Sequence, residues 1–173
     1  MANRLLVVVV GILALTGVTL LGQSKPSIQG VWRVVEVTIT GTAPGASALG
    51  LPKGTHTTVQ PGLLIFTGKH YSNINDTAAK PRSTMPFKVA GQPTAEEMQS
   101  QWGPFAANSG TYELSGTTLT RRPIVAKNAA NQGGKFFTRS EIKLDGQNLW
   151  ITAVESSAGK TANPTTVKYV RVE

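Results

Sequence analysis

The sequence predicts an all-β fold of eight antiparallel strands with one short helix. After Pro26, short runs rich in β-branched and aromatic residues recur along the chain, and turns that contain glycine separate them. One of these runs alternates apolar or small residues with charged ones, which is the period of a half-buried strand. A length of 173 residues favours one domain with a sizeable core.

The N-terminal segment differs from this pattern. Met1–Arg4 carries one positive charge, Leu5–Leu21 is almost wholly apolar, and Gly22–Ser24 is small or polar. This order is typical of a secretory signal peptide. We therefore expect a signal peptide over residues 1–24, a β domain over residues 25–173 and a secreted or periplasmic protein. An uncleaved N-terminal membrane anchor is the alternative.

Composition excludes several classes of protein. The chain has no cysteine, so it forms no disulfide and carries no lipid on a cysteine. Without Arg4, 16 Lys and Arg stand against 9 Asp and Glu, a net charge of +7. The basic residues are scattered, apart from Arg121 and Arg122, so we interpret the charge as favouring solubility. We expect no nucleic-acid partner and no membrane span in the mature form, and we assign no oligomeric state.

The first half of the domain contains one long strand and one hairpin. Val31–Ile39 is rich in β-branched residues and forms the first predicted strand. Thr40–Gln60 is too irregular for an element, and a loop of this length in a compact domain is usually functional or mobile. Gly62–Phe66 and Lys69–Ile74 follow with a tight turn between them, which predicts a hairpin.

A helix precedes the second hairpin. A Thr-x-x-Glu capping box after Pro93 predicts a helix over about Ala95–Gln101. Strand character resumes after Gly110 at Thr111–Leu114 and continues at Thr117–Val125. Pro123 has no amide hydrogen to donate, so we expect it at a sheet edge or a β-bulge.

The clearest strand lies in the last third of the chain. In Phe136–Leu144, apolar or small residues alternate with residues that are mostly charged. The last two predicted strands are Leu149–Glu155 and Thr166–Val172. Eight antiparallel strands joined mainly by hairpins either stack as a sandwich or close as an up-and-down barrel.

Five segments in this order resemble the small lipocalin-like domains that occur in many bacterial proteins. They are "GVWRVVEV", "PGLLIFTGKHYS", "AANSGTYELSGTTLT", "EIKLDGQNLWIT" and "YVRVE", and they extend over about residues 27–173. The resemblance implies an eight-stranded antiparallel up-and-down lipocalin-like β-barrel with one short helix.

The resemblance also assigns structural roles. In such barrels a tryptophan on the first strand closes one end, and an arginine from near the end of the chain packs across it. These residues correspond to Trp32 and Arg171, and Gly30 would let the chain bend close to the barrel floor. The sequence departs from the family where Arg121 or Arg122 takes the place of a histidine, so any role of that histidine does not carry over.

Catalytic and metal-binding signals are weak. With no cysteine and only His56 and His70, the chain offers no cluster typical of a zinc site. No nucleophile elbow, P-loop or dinucleotide-binding motif occurs. We therefore predict no cofactor, no metal and no catalytic residue.

The barrel interior is the remaining candidate site. The sequence predicts binding of a small apolar or amphipathic molecule, although the same residues would also form a filled core. The lumen candidates are Val34, Phe66, Tyr71, Tyr112, Leu114, Leu119, Phe136 and Ile142.

Two alternatives stay open. An enzyme acting on a small apolar substrate would need a titratable residue that faces the lumen, for which Glu36, Glu113 and Arg121 are the candidates. A filled barrel would act through its outer surface, as an envelope or partner-binding protein.

Overall fold

A computed structural model describes residues 27–41, 51–84 and 87–173. They form a closed, eight-stranded antiparallel β-barrel, consistent with a lipocalin-like fold, as the sequence predicts. The predicted signal peptide over residues 1–24 lies outside the described residues, and so does the middle of the predicted long loop.

The secondary-structure elements follow one another mainly through short turns. The helix is α1 (Ala95–Trp102), and a short 3₁₀ turn covers Ala129–Asn131. The strands are β1 (Gly30–Ile39), β2 (Gly54–His56), β3 (Gly62–Phe66), β4 (His70–Asp76), β5 (Phe105–Ser115), β6 (Thr118–Ala126), β7 (Thr138–Asp145), β8 (Asn148–Ser156), β9 (Gly159–Lys160) and β10 (Thr165–Arg171).

Eight of these strands make the barrel wall. Their spatial order is β10-β1-β3-β4-β5-β6-β7-β8, and pairing of β8 with β10 closes the sheet on itself. The short strands lie off this ring, β2 beside β1 and β9 beside β8. Because the sheet is closed, side chains of alternate residues point into an interior that is wide enough for packing or for one small ligand.

Strand boundaries differ from the prediction at several places. Strand β5 begins at Phe105, six residues earlier than predicted, because its small and polar residues pair with β4 along their whole length. Strand β7 begins at Thr138, so Phe136 and Phe137 precede it. The predicted loop over residues 40–60 contains β2, which pairs with the end of β1.

The helix and the bulge agree with the prediction. At the start of α1, Thr94 Oγ1 accepts a hydrogen bond from the Glu97 amide at 3.2 Å, and a Glu97 carboxylate oxygen accepts one from the Thr94 amide at 2.8 Å. Across β5 and β6, Gly110 pairs with Pro123 whereas Ser109 pairs with Val125, so the register shifts by one residue. Pro123 therefore lies at a β-bulge, where a missing amide hydrogen is tolerated.

One end of the barrel is closed by Trp32. Its side chain is fully buried, and the indole Nε1 donates a hydrogen bond to the carbonyl oxygen of Ile28 at 2.7 Å. The Arg171 guanidinium carbon lies 4.2 Å from the centre of the indole ring. Arg171 also donates hydrogen bonds to the backbone carbonyls of Ser27 and Gln29, so it fixes the chain that enters β1.

Gly30 is required at this closure. Its φ of +129° is a conformation that other residues rarely adopt. A β-carbon there would also clash with the carbonyl oxygen of Glu173 and with the Arg171 guanidinium. The bare backbone thus permits the close approach of the last residues to the first strand.

Substitution of Gly30 by alanine tests this requirement. We expect Gly30→Ala to lower the free energy of unfolding by about 1–3 kcal/mol, because it combines backbone strain with a steric clash. Gly68→Ala is the control: Gly68 has no positive φ, and a β-carbon there would meet no atom within 4 Å. Chemical denaturation of both variants measures the difference, and equal stabilities would contradict a special role for Gly30.

Candidate ligand-binding cavity

The interior near Trp32 is filled by side chains. Nine of the buried residues form one contiguous cluster, in which Leu64, Leu119 and Leu149 are completely inaccessible to solvent. Its members are Ile28, Trp32, Leu64, Phe66, Tyr71, Leu119, Leu149, Ile151 and Tyr169. We call this cluster the plug, and it fills the closed end of the barrel with apolar side chains.

Most of the predicted lumen residues belong to the plug or pack against it. Phe66, Tyr71 and Leu119 are members of it. Val34, Tyr112 and Ile142 are partly buried and pack against it. These side chains do face the interior, but the plug itself occupies most of the space that they surround.

The other two predicted lumen residues are placed differently. Leu114 pairs with Leu119 and so shares its face, yet it is 42% exposed because it lies beside the turn that ends β5. Leu114 is therefore partly open to solvent at the end of the barrel. Phe136 lies outside any strand, but it lines a cavity at the opposite end of the barrel.

That cavity lies at the end of the barrel opposite Trp32 and has a volume of about 410 Å³. Its wall comes from β4, the start of β5, the second half of β6, the start of β7 and the segments that flank these strands. Phe105, Phe136 and the ring of Tyr71 supply its aromatic surface. Asn73, Asn108 and Thr138 supply polar groups. The lining is therefore amphipathic.

Arg121 is the central charged residue of the cavity. It pairs with Tyr112 on one side and with Thr138 on the other, so it shares their interior face. Its guanidinium carbon lies 5.5 Å from the centre of the Tyr71 ring. Its Nε atom is buried and has no hydrogen-bond partner in the protein.

No acidic residue balances this charge. Among the described residues, Arg121 and Lys127 line the cavity, and no Asp or Glu does. Lys127 donates hydrogen bonds to the carbonyls of Trp102 and Gly103, the latter at 3.1 Å. Within the same part of the chain the ion pairs are Arg82 with Asp76 and Arg139 with Glu155, so neither involves Arg121.

The charge of Arg121 affects the pKa of two tyrosines. The Tyr71 hydroxyl donates a hydrogen bond to Asn108 Oδ1 at 2.7 Å. Burial raises the pKa of Tyr71 and of Tyr169, and the positive charge of Arg121 lowers both pKa values in part. The guanidinium is therefore close enough to act on phenols from two strands, β4 and β10.

Two further polar atoms inside the barrel lack a hydrogen-bond partner in the protein. They are Ser140 Oγ, in a residue that is completely buried, and Asn75 Oδ1. Asn75 lines a second space of about 60 Å³ beside Tyr169, and Thr77 lines both spaces. Ser140 lies opposite Leu119 of the plug, whereas Arg121 and Asn75 line the two spaces. Buried polar atoms without partners are uncommon in folded proteins, so Arg121 and Asn75 retain unused hydrogen-bonding capacity.

The acidic candidates for catalysis do not face this space. Glu36 pairs with Lys168, and Glu113 pairs with Thr120 next to the inward-facing Tyr112. Glu113 is exposed, because successive residues of a strand point to opposite faces. Of the three titratable candidates, only Arg121 faces the interior.

The histidines lie apart from the cavity. His70 is exposed at the start of β4, and His56 lies on β2, where its Nε2 is 2.8 Å from the carbonyl oxygen of Pro52. In the described ranges, no three His, Asp or Glu side chains come close enough to hold a metal ion.

Sequence reasoning missed the asparagines that line the cavity and the smaller space beside it. Asn73 and Asn75 follow Tyr71 at intervals of two residues on β4, so their positions on the inner face follow from the strand period. Asn108 was missed because β5 was predicted to begin after it. The sequence predicts a lumen lined by apolar and aromatic residues, so its lumen candidates include no asparagine.

Comparisons with known proteins identify no family for this chain, because no protein-family model and no curated protein matches it. None of the helices in the described residues has the length and apolar character that crossing a membrane requires.

Alkaline titration tests the burial of the tyrosines. The chain has three tyrosines, and burial raises the pKa of Tyr71, Tyr112 and Tyr169 alike. We expect phenolate absorbance in the folded protein to rise at a higher pH than in the denatured protein, whose tyrosines titrate near pH 10. Since the folded state favours the neutral phenols, their contribution to stability is complete below about pH 10 and is lost as pH rises above it. Coincident titration curves of folded and denatured protein would contradict the buried placement.

Proposed function

We propose that this protein is an exported binding module for a small amphipathic molecule, related to the bacterial lipocalin-like domains that its sequence resembles. The observation that carries the proposal is the cavity of about 410 Å³ at the open end of the barrel. Its volume lies within the range of small-molecule sites, and its wall combines aromatic rings with a few polar groups, as such sites do.

The filled closed end limits the shape of the guest. A long alkyl chain would have to enter the space that the plug occupies, with Leu64 and Leu119 completely buried there. A compact guest with an aromatic or short aliphatic body fits the open half better. Because the wall also carries polar groups, we propose an amphipathic guest rather than a wholly apolar one.

Binding accounts for the cavity better than catalysis or a surface role. General acid–base catalysis by a carboxylate needs an Asp or Glu within reach of the substrate, and none lines the cavity within the described residues. The two glutamates considered for that role point away from the interior. A barrel that acts only through its outer surface would not need an open cavity with unpaired polar atoms.

The proposal includes export. It is supported by the charged, apolar and then small-residue order of residues 1–24. We expect N-terminal sequencing of protein recovered outside the cytoplasm to begin near Lys25. Recovery of a chain that begins at Met1 would contradict cleavage, and a membrane-bound location of that chain would favour the anchor.

Binding can be tested with phenylnaphthylamine, an uncharged fluorescent probe of suitable size. We expect saturable binding with a dissociation constant on the order of micromolar, because the loss of ligand freedom offsets the burial of a small guest. Phe136→Ala should weaken this binding about tenfold, since it removes an aromatic wall of the cavity. Fluorescence titration measures both values.

Phe137→Ala is the matched control. The centre of the Phe137 ring lies 5.6 Å from the guanidinium carbon of Arg122 and 5.4 Å from that of Arg139. The ring does not line the cavity. This variant should bind the probe like the unmodified protein. Absence of saturable binding in the folded protein would contradict the proposed function, and equal effects of the two substitutions would place the probe outside the cavity.

A further inference from the structure

We propose that the ligand carries an anionic head group, such as a carboxylate, that binds Arg121 deep in the open cavity while the apolar body points toward the mouth. This inference rests on the proposed function, because it names the class of molecule that the same cavity binds. It depends on the placement of one arginine, on the charges around it and on the depth at which it lies.

The first step concerns the cost of placing a guanidinium inside a barrel. A partly desolvated charge without a counter-ion destabilises a fold, and removal of such a group often leaves stability unchanged or improves it. Arg121 has no ion pair among the described residues, and its buried Nε has no hydrogen-bond partner in the protein. The Tyr71 ring offers this charge a weak cation–π contact, but no carboxylate of the described residues neutralises it, which points to a role in binding.

The second step concerns the chemistry of the unused donor. A guanidinium is planar and always charged, and its N–H groups match the two oxygens of a carboxylate. The Tyr71 ring lies on one side of the Arg121 group, with its centre 5.5 Å from the guanidinium carbon. Because Arg121 lines the cavity and its Nε has no partner in the protein, the guanidinium retains donor capacity for an anion in the cavity.

The third step concerns the sign of the surrounding field. The lining of the cavity within the described residues contains two cations and no carboxylate, and the mature chain carries a net charge of +7. In a space with restricted water, a field of one sign attracts an ion of the other. A cationic ligand would meet repulsion from Arg121 and would find no acidic partner.

The fourth step sets the orientation. Arg121 is the fourth residue of β6, nearer the plug than Pro123 and Ala126, which line the same cavity. Phe105, the first residue of β5, and Phe136, which precedes β7, lie closer to the open end. The anionic group should therefore enter first, and the apolar body should rest among the aromatic rings near the mouth.

A matched pair of probes separates this inference from the proposed function. Anilinonaphthalene sulfonate has the same ring system as phenylnaphthylamine with an added anionic group. We expect the unmodified protein to bind the sulfonate more tightly. Arg121→Gln should weaken sulfonate binding about ten- to one-hundred-fold, because it removes a charge-assisted contact, and should change binding of the uncharged probe less than about threefold.

Arg122→Gln is the control for net charge. It removes one positive charge from the next residue, whose guanidinium lies over Phe137, away from the cavity lining. Sulfonate binding should change less than about threefold in this variant. Arg121→Lys keeps the charge without the planar fork and should lie between the unmodified protein and Arg121→Gln.

The outcomes are distinct. If both probes bind equally well and Arg121→Gln affects neither, the anion site is wrong and the proposed function survives. If Arg121→Gln and Arg122→Gln weaken the sulfonate equally, general surface charge explains the binding and the inference is overturned. If neither probe binds, both proposals fail. Thermal melting should show that Arg121→Gln is folded, and if it is not, the Arg121→Lys result decides.

Discussion

The contact between Trp32 and Arg171 determines how this barrel is organised. The indole fills the floor, and the guanidinium covers the indole while it donates hydrogen bonds to the chain that leads into β1. Arg171 is the residue opposite Trp32 in the pairing of β10 with β1, so this contact joins the first and last strands of the wall. Gly30 makes the arrangement possible, because no side chain fits between β1 and the C-terminal residues. A cation–π contact of this kind is worth about 0.5–2 kcal/mol, and the buried area of the indole adds to it.

This closure divides the interior into two halves of different character. The apolar plug rests on Trp32 and fills the lower half, so the hydrophobic energy of the fold is concentrated there. The upper half has asparagines, threonines, aromatic rings and Arg121 on its inner face. It contributes less to stability and retains unpaired polar atoms. The separation lets one half hold the fold together while the other remains available for a ligand.

The fold could be predicted from sequence because its signals are local. The alternation along β7, the tight turn after Phe66 and the capping box at Thr94 depend on neighbouring residues, and each is present in the structure. The polar cavity could not be predicted, because it depends on how far the plug extends up the barrel. The sequence predicts that Tyr71 and Leu119 face the interior. It does not show that their own side chains fill that interior, because this depends on how the strands pack. Arg121 lies in a strand of mixed polarity, where a bulge and a proline obscure the period.

The central claim is that an anionic ligand binds the Arg121 guanidinium inside the cavity. Proton–nitrogen NMR spectra of the arginine Nε–H groups test it directly, because Nε is the Arg121 donor that lacks a partner in the protein. The Arg121 resonance is assigned by its loss in Arg121→Lys. Addition of anilinonaphthalene sulfonate should shift this resonance in a saturable manner and leave the Arg122 resonance unchanged. Saturable binding of the probe without any shift at Arg121 would contradict the account.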